Sequence, residues 1–313
     1  MPKESKPRAG SLQFWPRKRI KRFIPSVNWG AIKADSGLMG LIAYKVGMTS
    51  AVIKDLTPNS LTKEKKITLP ATILEVPAMK IFSVRYYKQG KVINEVLAEN
   101  LDKELNRKIK MPGKKEEKKI EDYDDLRLIV YSKVKETGIK KTPDLAEAAL
   151  GGSLEEKMKF IEEKKNKDIL ASDMLKNISL LDVRGLTKGK GFSGPVKRFG
   201  IKLKQHKSEK GRRRPGSLAP WHPARVTFRA PMAGQLGVFT RLSYNSRILG
   251  LGKINEKDIN PGEGWKNYGK IKTEYLILKG SLQGPAKRAL LLTMPLRPSK
   301  KQMKKNYEFL GVR

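Results

Sequence analysis

The chain has 313 residues, no cysteine, and 67 Lys and Arg against 31 Asp and Glu, giving a net charge of +36. That excess repels itself in a compact free protein and demands a polyanionic partner, while the lack of cysteine excludes disulfides and thiolate metal sites. No apolar run approaches the roughly 18 residues that span a bilayer, and the opening MPKESKPRAG lacks an apolar signal core, so the expected partner is nucleic acid in the cytoplasm.

Residues 1–36 read as an extended basic arm. The run PRAGSLQFWPRKRIKRFIPSVNW interleaves Arg and Lys with Phe14, Trp15, Phe23 and Trp29, and its prolines break any continuous helix. Arg8, Arg17, Lys18 and Arg19 are candidate phosphate contacts, and the rings suit stacking on bases or filling an apolar crevice. From Gly37, GLMGLIAYKVGMTSAVI predicts two short strands joined by a tight turn at Gly47. Residues 58–69 read as a polar loop, and ATILEVPAMKIFSVRYYKQGKVI as further strands with Pro77 at an edge or bulge. Residues 37–93 therefore begin an antiparallel β domain.

Residues 94–176 differ in charge. They hold 19 acidic and 19 basic residues, so the whole positive excess lies outside them. Mixed signs mark a solvated surface. Here DLRLIVYSKV (125–134) predicts a strand, and the run around Asp144 to Leu150 predicts a helix. Ser153 and Glu156 fit a capping box that opens another helix, with Leu154, Met158 and Ile161 on one face. We read the block as an α/β insertion on the outside of the β domain.

Strands return at Ile178 and continue through GQLGVFTRLSYNSRILGLG, KTEYLILKG and AKRALLLTMP. Many short strands with Gly, Pro and Asn turns predict a barrel or sandwich, mainly β and antiparallel, completed by residues 177–298. Residues 299–313 read as a basic tail.

The stretch from Arg184 to Arg229 organises the rest. Glu209 is its only acid, and its apolar residues keep neither helical nor strand period for long. Gly189-Lys190-Gly191-Phe192-Ser193-Gly194 matches the G-x-G-x-x-G dinucleotide pattern, but Pro195 and Gly200 stand where a helix should open, and the one acid that follows, Glu209, sits in a run of Lys and Arg that would hold it as a salt-bridge partner. The glycines instead suit close approach of backbone N–H groups to phosphates, with Lys188, Lys190, Lys197 and Arg198 neutralising them. Arg212, Arg213 and Arg214 continue the charge. Pro220 and Pro223 then bracket Trp221 and His222 next to Arg225, which predicts a stiff tip that presents its ring for stacking. His206 and His222 have neither the carboxylates nor the thiols that general acid–base or metal chemistry needs, so no catalytic residue, metal or cofactor is expected.

These same residues resemble the large-subunit ribosomal protein L3 (uL3) family in its archaeal form. PRAGSLQFWPRKR, GLIAYKVGMT, VRGLTKGKGFSGPVKRFG, RRRPGSLAPWHPARV, YNSRILGLG and NYGKIKTEYLILKGSLQGPAKR carry the likeness along essentially the whole chain. The resemblance implies a translation-factor-type β-barrel with an insertion and with long extensions threaded into large-subunit rRNA. It implies an early organising part in subunit assembly, and neighbours such as uL14 and eL24. It also implies that the finger tipped by Trp221, with His222 and Arg225 beside it, reaches toward the peptidyl transferase centre. Eukaryotic members run well past this C-terminus, which is why the archaeal form is the nearer one. An RNA-modifying enzyme or an assembly factor is the alternative, and it would need a cofactor pocket or an acid–base set. A DNA-binding architectural protein is a further rival, and nothing here reads as a groove-reading helix.

Overall fold

The computed structural model describes residues 11–34, 36–111, 122–175, 177–207 and 210–313. The chain divides into two compact units, one of residues 23–185 and 241–313, the other of Leu186–Thr240 with the N-terminal segment up to Arg22.

The larger unit is mainly β. Its strands begin with β1 (Gly37–Leu38), β2 (Gly40–Asp55), β3 (Lys66–Val76), β4 (Met79–Lys88) and β5 (Lys91–Leu97). They continue with β6 (Asp125–Ser132), β7 (Leu145–Gly151) and β8 (Leu180–Leu186), with helices α1 (Leu154–Lys164) and α2 (Ala171–Met174) between β7 and β8. The small elements of the other unit are β9 (Phe192–Ser193), α3 (Pro195–Phe199) and β10 (Gly234–Gln235). The chain ends with β11 (Thr240–Lys253), β12 (Glu274–Lys279), β13 (Ala289–Thr293), α4 (Lys300–Met303) and β14 (Tyr307–Val312).

Two antiparallel sheets share one core. The first has the order β13-β8-β11-β12-β3-β2-β14, and β13 also pairs with β2. The second runs β1-β7-β6-β4-β5. Ile42, Ile73, Leu276 and Leu291 from the first and Leu128, Val130 and Ala148 from the second belong to the same buried cluster. Each fully buried aliphatic chain of this kind contributes roughly 1.5–3 kcal/mol. β2 shows both strand regimes at once. Residues 40–46 are buried on both faces, whereas Ala51, Ile53 and Asp55 alternate with the less buried Val52 and Lys54.

Several expectations are corrected. β2 is one strand of 16 residues, not two, and Gly47 sits at an irregularity in its pairing with β3 between Lys45 and Gly47. A bulge absorbs the extra residue without ending the ladder. The polar loop shortens because β3 starts at Lys66, opposite Lys54, although Lys66, Thr68 and Pro70 read as polar or turn-forming. The segment expected as a helix near Asp144 is strand β7, paired along β6 from Arg127↔Ala149 to Tyr131↔Leu145. Its alanines favour helix in isolation, but only small side chains fit where Ala148 faces Gly40 and Trp29. The C-terminal tail is not a loose extension: β14 pairs with β2 from Tyr307↔Asp55 to Val312↔Ala51. Trp29, placed with the arm's stacking rings, is core at 4% exposure, and its ring fills the space a Cβ at Gly40 would need.

Other features follow the sequence. Ser153 caps α1: its Oγ accepts from the Glu156 amide at 3.3 Å and Glu156 accepts from the Ser153 amide at 3.1 Å. Ile161 is buried and Met158 partly so, while Leu154 stays exposed. Pro77, expected at an edge or bulge, lies instead in the connection between β3 and β4. The hairpin β4–β5, expected up to residue 93 with the β domain, differs: it pairs with β6, so residues 79–97 lie in the sheet of the charge-neutral block.

Two buried carboxylates, Glu75 and Asp182, each accept several hydrogen bonds. Glu75 accepts from the Lys272 amide (2.8 Å), the Thr273 amide (3.0 Å) and hydroxyl (3.1 Å), and the Tyr268 hydroxyl. Burial, then the Glu75 charge, pushes the Tyr268 phenol well above its ordinary value. Asp182, fully buried, accepts from the amides of Asn245 (2.7 Å) and Leu296 (2.9 Å). Each acid closes a loop between strands and so has a structural use.

Candidate nucleic-acid interface

The unit of Leu186–Thr240 is tied together by backbone rather than by an apolar core. At its base the Thr187 amide donates to Phe239 O (3.0 Å) and the Val238 amide to Thr187 O (3.3 Å). Above this the Lys190 amide donates to Leu236 O and the Leu236 amide to Gly191 O, both at 2.9 Å. β9 and β10 then pair as Ser193↔Gly234 and Phe192↔Gln235. Gly237 is required at this rung: its φ is +79° and a Cβ there would lie 1.9 Å from Lys188 O.

A short helix, α3, opens at Pro195, contrary to the expectation that none would. Proline suits the first helical position because that amide has no intrahelical partner, and Gly200 ends the helix in the left-handed region at φ 64°. The dinucleotide reading gains nothing from this, since the helix has five residues and β9 has two.

Arg198 and Arg17 are engaged internally. Arg198 donates from Nε to Gln235 O (3.1 Å) and from Nη1 to Met232 O (2.9 Å), which ties α3 to the returning chain. Burial pushes its guanidinium pKa down from the ordinary value. Arg17 donates to Arg198 O at 3.2 Å and lies 4.3 Å from the Phe199 ring centre and 5.2 Å from that of Trp15. Trp15 in turn meets Phe228 edge-on at 5.3 Å. The arm is further held where the Ile20 amide donates to Val238 O at 3.4 Å. Planar guanidinium stacking of this kind is specific to arginine.

Lys18, Arg19, Lys188, Lys190, Lys197, Arg212, Arg213, Arg214, His222 and Arg225 are all exposed. Arg212 uses its Nε on Lys204 O at 3.3 Å. Trp221 is 88% exposed, so the ring is presented and not packed away. Arg8 and Glu209 lie outside the described residues. Glu209 is the only acid between Arg184 and Thr240, so this surface is cationic almost without compensation and attracts phosphates.

Sequence reasoning passed over two exposed rings, Phe192 at 82% and Phe228 at 58%. Phe192 had a signal: it is an aromatic residue among Gly, Ser and Lys, with Lys190 and Gly194 rather than apolar partners at strand spacing. Among the described residues no group of three or more His, Cys, Asp or Glu is arranged to hold a metal ion.

The family model for ribosomal protein L3 matches residues 1–125 and 114–309. The large ribosomal subunit protein uL3 of Methanocaldococcus jannaschii is 39% identical over 316 residues, covering 96% of this chain and 94% of its own. That of Methanococcus vannielii is 39% identical over 313 residues, covering 95% and 93%, and that of Picrophilus torridus 39% over 303 residues, covering 94% and 92%. The family match spans both sheets, apart from the last three residues of β14, and the cationic unit, and the chain belongs to the ribosomal protein L3 family.

Proposed function

We propose that this chain is a structural constituent of the large ribosomal subunit, not an enzyme, and that it binds large-subunit rRNA in the cytoplasmic ribosome. The observation that carries the reading is membership of the L3 family over nearly the whole length, in relatives named as large-subunit proteins. The charge supports it: the excess of +36 needs phosphate to neutralise it, and the segment Leu186–Thr240 holds no acid but Glu209 in its sequence. In this reading Lys18, Arg19, Lys188, Lys190, Lys197 and Arg212–Arg214 neutralise phosphates and help rRNA to fold during assembly. Arg17 and Arg198 serve the same surface by holding it in shape. Arg8 joins the phosphate contacts on its charge.

We extend the reading to four finer points. The seven-stranded sheet closes as a barrel of the translation-factor type, supported by the pairing of β13 with both β8 and β2. The insertion on it begins at the β4–β5 hairpin, supported by that hairpin's pairing with β6. The tip with Trp221, His222 and Arg225 reaches toward the peptidyl transferase centre, supported by its exposure and its bracketing prolines. The proteins uL14 and eL24 are the proposed neighbours.

Sedimentation tests the main claim. Lysate is run on a Mg²⁺-containing sucrose gradient after a high-salt wash, and the protein is probed across the fractions. Stoichiometric recovery with the large subunit is expected. Recovery in light fractions would reassign the chain as an assembly or modifying factor.

A further inference from the structure

Beside β9 lies a cleft of about 310 Å³, at the small end of the roughly 300–1,000 Å³ typical of ligand sites. Its cations are Lys190, Lys197 and Arg213. Among the described residues none of these three side chains has a hydrogen-bond or ion-pair partner, and no carboxylate lines the cleft. Phe192 forms one wall, yet its ring is 82% exposed, the largest exposure of any aromatic described here except Trp221. An apolar ring held out in water beside three unpaired cations costs hydration with no gain in packing, so it is arranged for an occupant.

The pedestal under that ring is rigid. Phe192 is paired to Gln235 in the two-stranded ladder, flanked by the rungs Lys190 N to Leu236 O and Leu236 N to Gly191 O. Ser193 Oγ donates to Lys190 O at 3.1 Å, fixing the backbone on the lysine's side. Arg198, through Gln235 O and Met232 O, holds α3 and with it Lys197 against the same ladder. A flat face and a cationic cleft are therefore held in fixed relation to one another.

The geometry points to a single unstacked nucleotide as the occupant: its base lies on the Phe192 ring and its phosphate sits among Lys190, Lys197 and Arg213. A continuous duplex hides its base faces and offers no ring to Phe192, whereas loops and bulges splay bases outward. This rests on the rRNA-binding reading and adds to it a one-nucleotide subsite and a stacking residue, Phe192.

The test uses the full chain and a large-subunit rRNA transcript, with affinity measured over a series of salt concentrations. Stacking on one aromatic ring predicts that Phe192→Ala binds roughly tenfold or more weakly with the salt slope unchanged, and that Phe192→Tyr restores the affinity. The triple change of Lys190, Lys197 and Arg213 to alanine is expected to lower the slope itself. In 2′-hydroxyl acylation mapping, one nucleotide protected in the wild-type complex becomes reactive with Phe192→Ala. The exposed ring makes a folding defect an inadequate cause, and an unchanged circular dichroism spectrum checks this. Wild-type affinity for Phe192→Ala, or a loss that tyrosine does not restore, overturns the subsite while rRNA binding stands. Failure of the wild-type chain to prefer rRNA over duplex DNA overturns the parent reading instead.

Discussion

Arg17 separates two uses of a cation, and its removal tells them apart. Read as a phosphate contact, it would release about one counterion on binding, so Arg17→Ala would lower the salt slope by about one. The structure gives it other work: a hydrogen bond to Arg198 O at 3.2 Å and two ring contacts, at 4.3 Å to Phe199 and 5.2 Å to Trp15. Ring contacts of this type contribute about 0.5–1 kcal/mol each where part-exposed, and a hydrogen bond from a charged donor adds about 1 kcal/mol after screening. Arg17→Ala is then expected to favour opening of the arm by about 2 kcal/mol, near 30-fold in the local equilibrium. Hydrogen exchange followed by mass spectrometry reads this at the Ile20 amide, which is bonded to Val238 O. The exposed Lys18 supplies the comparison, since Lys18→Ala should lower the slope and leave exchange unchanged. Unaltered exchange with a slope reduced by about one in Arg17→Ala would refute the internal role.

Gly237→Ala forces a Cβ to within 1.9 Å of Lys188 O at a φ of +79°, so the rung beneath β9 must shift. A loss of about 1–3 kcal/mol is expected locally, seen as faster exchange of the Lys190 and Leu236 amides with the larger unit unaffected. Asp55 accepts from the Thr57 amide (2.9 Å), Ser60 Oγ (2.9 Å) and Thr62 Oγ1 (2.5 Å), and hydrogen bonds from Thr57, Thr62 and Ser60 hold its carboxyl well below the ordinary 3.8. A depressed folded value means its stabilisation is complete above about pH 4 and is lost as the pH falls below that. Urea midpoints of the wild type and Asp55→Asn should therefore differ at neutral pH and converge toward pH 2. Trp221→Ala removes a ring that packs on nothing, so stability should change by less than about 0.5 kcal/mol and subunits should assemble. Altered tRNA selection in reporter assays is the expected defect, and normal rate and fidelity would count against the finger role.

Some of this was legible in the chain because it depends on neighbours in sequence. The Ser153–Glu156 cap needs only four consecutive residues. Alternation and β-branching marked most strands, and the cationic density between Arg184 and Arg229 needed nothing but counting. Other features depend on distant partners. Ala146 and Ala148 read as helix formers until β6 supplies a ladder and Trp29 limits the space. Tyr307–Val312 reads as a tail until the far half of β2 offers it an open edge.

The same division holds at the interface. Composition by itself determined that the chain must meet a polyanion, because net charge is a sum over residues that no fold can change. Which cations are free to do so was a tertiary matter. Arg17, Arg198 and Lys197 are equivalent as letters in a basic run, yet the first two donate to carbonyls of their own unit while Lys197 faces a cleft. A guanidinium presents several donors in a plane and is easily desolvated against rings and carbonyls, whereas an ammonium stays hydrated and outward. Only the folded backbone, by bringing Phe199, Gln235 and Met232 within reach, decided which arginines would be spent on architecture and which ring would be left bare.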